Sequence, residues 1–159
     1  MMKKIILWIL IISWMTAMFC LSHQEAVKSK KTSSEFIIAI VEFFDFSDSL
    51  SEIEKENIAE ELTFMVRKGA HFCAYAVFGA LLYFLFGAYE VKKIRQIIFS
   101  VGVSFLYACS DEYHQTFIKG RSGEVRDIVI DTLGALLGVL AIKLITTVIM
   151  KIKKKELAP

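Results

Sequence analysis

Net charge is nearly absent from this chain. Its 159 residues carry 19 lysines and arginines against 17 aspartates and glutamates, a formal +2. There is no global basic surface of the kind that nucleic acid requires, so a nucleic-acid partner is set aside. Cysteine is scarce as well. Cys20, Cys73 and Cys109 are odd in number and each lies inside an apolar run, which excludes a disulfide framework. Free cysteine packs as a small apolar residue, and that is the role expected of all three. The chain also lacks a compact metal motif such as His-Glu-x-x-His and any motif built around an activated nucleophile. No metal or other cofactor is expected, and nothing here commits the chain to catalysis.

What the chain has is apolar sequence in long runs: 55% of residues are hydrophobic and mean hydropathy is +0.53. The expected fold is a single all-α membrane domain over 1–159, a bundle of about four transmembrane helices. The first run, residues 5–21, follows two lysines and resembles a signal peptide or signal anchor. Bulky Phe19 precedes Cys20, and no small-x-small pair marks a cleavage point, so the run is read as a retained helix near the lower length limit for a span. The other spans fall at about 70–89, 94–108 and 128–150, with a tight turn between the second and third.

Residues 22–69 are acidic on balance, with ten Asp or Glu against six Lys or Arg. Within them, Glu35 to Phe46 is too short to cross and reads as an interfacial helical segment. Ser51-x-x-Glu54 offers a capping box. Ile53, Ile58, Leu62 and Met65 then recur at helical spacing, so a helix is expected to run on into the second span.

Lys3, Lys4, Lys92, Lys93, Arg95, Lys151, Lys153, Lys154 and Lys155 fall on one side if there are four spans. The positive-inside rule then places both termini in the cytoplasm of a multi-pass cell-membrane protein, with segments 22–69 and 110–126 facing outward.

The polar residues next to the spans gather at that outer end. Asp131 lies about one turn inside the last span, where an ionised carboxylate at mid-membrane costs roughly 2.5 to 3.5 kcal/mol. It needs partners. Asp127 and Asp131 are four apart, and Gly134 and Gly138 continue the same face, where a small-xxx-small pair lets another helix approach. If the third helix continues past Ala108, then Tyr107, Asp111 and His114 or Gln115 share a side. Arg67, His71 and Tyr75 are spaced by four on the second helix, with Lys68 beside them. Together with Glu112, Arg121 and Arg126, these residues support two readings: an interhelical polar network that fixes packing, or a functional site, the default for intramembrane ionisable groups.

Two chemistries suit such a site. Arginine forks could hold the phosphate of an anionic headgroup while carboxylates orient them or meet sugar hydroxyls. Alternatively, the histidines and aspartates could support metal-assisted hydrolysis or transfer, with one acid as general base. The missing metal and nucleophile motifs favour recognition.

At these residues the sequence resembles the VanZ-like family. The resemblance rests on Ser110-Asp111-Glu112-Tyr113-His114-Gln115, Gly120-Arg121-Ser122-Gly123, Asp127, Asp131-Thr132, Gly134-Ala135 and Gly138. Arg67-Lys68-x-Ala70-His71-Phe72-x-x-Tyr75 resembles the family's other marked segment. The exit of the first helix, Leu21-Ser22-His23-Gln24, departs from the family's Phe-Ser-Ser-Gln pattern at two positions.

The resemblance implies a bacterial envelope protein of a family whose namesake is associated with low-level teicoplanin resistance. The expected ligand is a membrane lipid or lipid-linked cell-wall precursor. A membrane hydrolase or transferase acting on such a lipid is the enzymatic alternative, and a helix-bundle adaptor for another envelope protein is the third reading. The functional cluster expected from the sequence is Arg67, His71, Tyr75, Asp111, Glu112, His114, Gln115, Arg121, Asp127 and Asp131.

Overall fold

A computed structural model describes residues 1–23, 34, 35, 37, 40 and 52–156. Four long helices account for nearly all of them: α1 (Met2–Ser22), α2 (Glu52–Ala88), α3 (Lys93–Gln115) and α4 (Val125–Glu156). No strand occurs among the described residues. Of the interfacial segment expected at Glu35 to Phe46, Glu35, Ile37 and Ile40 are described and helical; the rest lies outside the described residues, as does Ser51 of the expected capping box. The expected continuity into the second span is present, because α2 runs unbroken from Glu52.

Three helices, α1, α2 from Met65, and α4, are long and apolar enough to cross a membrane. α3 has the length, about 34 Å at 1.5 Å per residue, but polar residues lower its hydropathy. The cause is a reversed pattern. Gln96, Ser100, Ser104, Ala108, Glu112 and Gln115 recur at three- and four-residue spacing and are all buried, whereas Ile98, Phe99, Phe105 and Leu106 are exposed. The polar stripe faces the bundle, and the apolar face points where lipid would be. α3 also extends seven residues beyond the expected span end at 108. Asp111 to Gln115 are therefore helical, the continuation past Ala108 that lets Tyr107 and Asp111 share a side.

α2 and α4 share the most extensive contact, and α1 rests mainly on α2. Leu7, Ile11 and Met18 of α1 pack with Tyr75, Phe78, Leu82 and Leu85 of α2, and the same cluster includes Ala108 and Ala135. Large apolar side chains elsewhere, such as Ile9, Leu106, Leu137 and Leu144, are exposed. Water as solvent would not tolerate that much apolar surface; a bilayer requires it.

The helices run alternately up and down, so α2 and α4 point the same way. Their shared face is glycine-lined. A Cβ on Gly134 would strike the Phe72 carbonyl oxygen, one on Gly138 the Ala76 carbonyl oxygen, and one on Gly79 would come within 2.6 Å of the Ala135 carbonyl oxygen. Only glycine lets the backbones meet this closely.

The turn from α2 to α3 closes with the Glu90 N–H donating to the Gly87 carbonyl and the Val91 N–H to the Phe86 carbonyl. That is the bond pair of a Schellman cap. Glu90 occupies its left-handed position, with φ 59°.

Candidate functional site at the arginine end of the bundle

The register of α2 against α4 decides which polar groups meet. One turn outward from the Phe72–Gly134 contact, Lys68 Nζ forms an ion pair with Asp127 Oδ2. Beside that contact, His71 Nδ1 stands 3.9 Å from Asp131 Oδ2, too long for a hydrogen bond but close enough for charge attraction. Asp131 is only 1% exposed, and neither of its carboxylate oxygens has a hydrogen-bond partner.

α3 contributes the next layer. Asp111 is buried with Oδ1 unpartnered, and the Tyr75 hydroxyl on α2 is likewise buried and unpartnered. Asp111 and Asp131 both lie within electrostatic reach of Tyr75 and His71. Tyr107, whose ring lies 6.2 Å from that of Tyr75, is engaged elsewhere and donates its hydroxyl to the Met15 carbonyl at 2.8 Å.

Glu112 and Gln115 form a clasp. Gln115 Nε2 donates to Glu112 Oε1 at 3.0 Å, and the Glu124 backbone N–H donates to Glu112 Oε2 at 2.8 Å. The clasp ties the end of α3 to the start of α4. Gly123 fits beneath it because a Cβ there would come within 2.7 Å of the Glu112 carbonyl oxygen. Burial raises the Glu112 carboxyl above the ordinary range, an effect opposed by the Glu124 N–H and reinforced by Asp127, Asp111 and Asp131.

Arg121 is aimed by the chain turn that precedes it. Its N–H donates to the Ile118 carbonyl, and Gly120 between them has φ 77°, the conformation for which such a turn selects glycine. The returning Arg121 side chain donates from Nη1 to Gln115 Oε1 at 3.2 Å, while its Nε is buried and unpartnered. Burial lowers its pKa, and the nearby positive charge of Arg67 lowers it further; Asp111 and Glu112 oppose this. The two guanidinium groups are thus close enough to repel each other.

Most of the residues expected from the sequence therefore converge. His114 does not join the acids. It faces α1, with its ring 4.6 Å from Phe19 and 5.3 Å from His23, and its Nε2 is 3.5 Å from His23 Nδ1. Arg126 is exposed and paired with Glu124 at 3.2 Å. Sequence reasoning overlooked His23 and Phe19 as members of this end. Position was the only signal for Phe19, at the exit of α1 on the side where the other polar groups collect; His23 also stood in the exit segment that departs from the family's pattern. Among the described residues, no group of three or more His, Cys, Asp or Glu is arranged to hold a metal ion, and the three cysteines are free.

Helices apolar enough to span, polar groups turned inward and a charged cluster at one end together define a helical membrane protein. The VanZ/LLP1 family model matches residues 7–146, from α1 into α4, and the chain belongs to that family. No curated protein and no solved structure matches it.

Proposed function

We propose that the arginine end of the bundle binds or shields an anionic lipid-linked or cell-wall component at the outer leaflet, and that this contributes to low-level glycopeptide resistance of the teicoplanin type. One observation carries the reading: buried polar atoms without partners are concentrated here. The unpartnered atoms include both oxygens of Asp131, one each of Asp111 and Asp127, the Tyr75 hydroxyl and Arg121 Nε. A network serving only to hold helices together would satisfy its own members, because each unsatisfied buried group costs about 1–3 kcal/mol.

The chemistry of the unfilled groups describes the ligand. Arg67 and Arg121 repel each other until an anion stands between them, and the planar fork of arginine suits phosphate. Asp111 and Asp131 accept hydrogen bonds, so they suit hydroxyl groups attached near that phosphate. A sugar phosphate on a lipid carrier offers both. The basic residues at the opposite end support the orientation that presents this end to the outer leaflet.

The test uses Arg121→Ala and Asp131→Asn, each with membrane abundance measured alongside. Both variants are expected to raise teicoplanin susceptibility and surface binding at unchanged abundance. Normal abundance with unaltered susceptibility and binding would overturn the reading, and loss of both variants from the membrane would assign the cluster to packing. Turnover of a lipid-linked pyrophosphate by the purified protein, abolished by Asp111→Asn, would replace binding with catalysis.

A further inference from the structure

The opposite end of the bundle holds a second feature, independent of the arginine cluster. The start of α1, the end of α2, the start of α3 and the end of α4 border an open-sided cavity of about 330 Å³ lined in part by Lys3, Tyr83, Gly87, Lys93, Gln96 and Met150. Lys93 Nζ lies 5.6 Å from the centroid of the Tyr83 ring, a cation–π distance that holds the ammonium beside the opening. Lys93 also begins α3. The N-cap residue Lys92 makes no side-chain cap, and no acid stands in the first turn. The positive end of the helix dipole is therefore uncompensated there.

Lysines at a membrane edge are common and imply no site by themselves. Gln96 sets this cavity apart. It is 3% exposed, its Nε2 donates to the Val91 carbonyl, and its Oε1 is buried without a partner. A bare anion would satisfy the lysines and the helix start but would offer nothing to that acceptor. A ligand complementary to all of them carries a negative phosphate and a hydroxyl donor close to it. Phe84 and Ile149, at the same cavity, are partly exposed and offer apolar surface to acyl chains.

We infer that this cavity binds the headgroup of an anionic phospholipid with a hydroxyl-bearing substituent, of the phosphatidylglycerol type. The phosphate sits between Lys3, Lys93 and the start of α3, and a headgroup hydroxyl donates to Gln96 Oε1. The same chemistry is present in soluble glycerol phosphate, which lacks the acyl chains.

The experiment is native mass spectrometry of the full chain released from nanodiscs holding equal amounts of phosphatidylglycerol and phosphatidylethanolamine. Preferential retention of phosphatidylglycerol is expected, and the preference should fall by about fivefold for each lysine removed in Lys3→Gln and Lys93→Gln. Gly87→Leu fills the cavity while leaving both lysines in place. Its Cβ would stand 3.7 Å from Gln96 Oε1, ordinary contact, so the backbone need not move, and thermal unfolding checks this. That variant should abolish the preference. In nanodiscs holding equal amounts of phosphatidylglycerol and phosphatidic acid, the unaltered protein should favour phosphatidylglycerol and Gln96→Leu should retain the two alike. Equal retention of phosphatidylglycerol and phosphatidylethanolamine by the unaltered protein would overturn the inference. So would an intact preference in Gly87→Leu, which would trace it to the lysine belt alone. Displacement by millimolar glycerol phosphate would reject the lipid as occupant in favour of a soluble phosphate ester.

Discussion

Gly134 of α4 meets Phe72 of α2 backbone to backbone, with no room for a side chain between them. Gly138 repeats the arrangement against Ala76 one turn further along. The register so fixed places Lys68 against Asp127 and His71 opposite Asp131. Packing and site share one cause.

Gly134→Ala and Gly138→Ala are therefore expected to lower stability by about 1–3 kcal/mol each through overpacking. Gly102 on α3 has nothing within 4 Å of an added Cβ, so Gly102→Ala should be neutral or stabilising by up to about 1 kcal/mol through helix propensity. Thermal unfolding in detergent measures all three, and the opposite sign at Gly102 separates close contact from a general response to alanine.

Glu90 holds a left-handed conformation at a cap position that glycine occupies at little cost. Glu90→Gly should raise stability by about 1 kcal/mol, the strain of a side chain in that region. An unchanged or lower unfolding temperature would show that the Glu90 side chain contributes more than its backbone costs.

The raised carboxyl of Glu112 makes stability depend on pH with a definite sign. Below the ordinary glutamate value of 4.5, folded and unfolded chains both hold the proton and the group contributes no difference. Between that value and the raised one, only the folded chain holds it, so stability falls as pH rises through this window. Above it the loss is complete. Glu112→Gln should flatten this part of the profile, read as the difference between unfolding curves of the two proteins across pH. Parallel curves would remove Glu112 as the cause.

Orientation is tested with single cysteines in a background lacking Cys20, Cys73 and Cys109. A cysteine at Ser122 should react with an impermeant maleimide added to whole cells, and one at Lys154 should react only after lysis. The reverse pattern would turn the arginine cluster to the cytoplasm and end its proposed role at the outer leaflet.

Much of this arrangement was legible in the sequence because the signal was local. Asp127, Asp131, Gly134 and Gly138 share a helical face by spacing alone, and Arg67, His71 and Tyr75 do the same. The end of α3 was harder to read. Asp111 to Gln115 has the composition of a loop, yet Asp111, Glu112 and Gln115 are buried; Glu112 and Gln115 are received by donors from Glu124 at the start of α4 and from Arg121. The neighbourhood of His114 was not legible at all. Its contacts with Phe19 and His23 join residues 95 and 91 positions apart, and no periodicity links them.

The reversed patterning of α3 bears on how the protein is made. A helix whose inward face carries Gln96, Ser100 and Ser104 gains less from entering lipid than its three neighbours do, and it gains most once they shield that face. Its insertion is therefore expected to depend on the arrival of α4, and a nascent chain halted between the two is expected to leave α3 at the membrane surface.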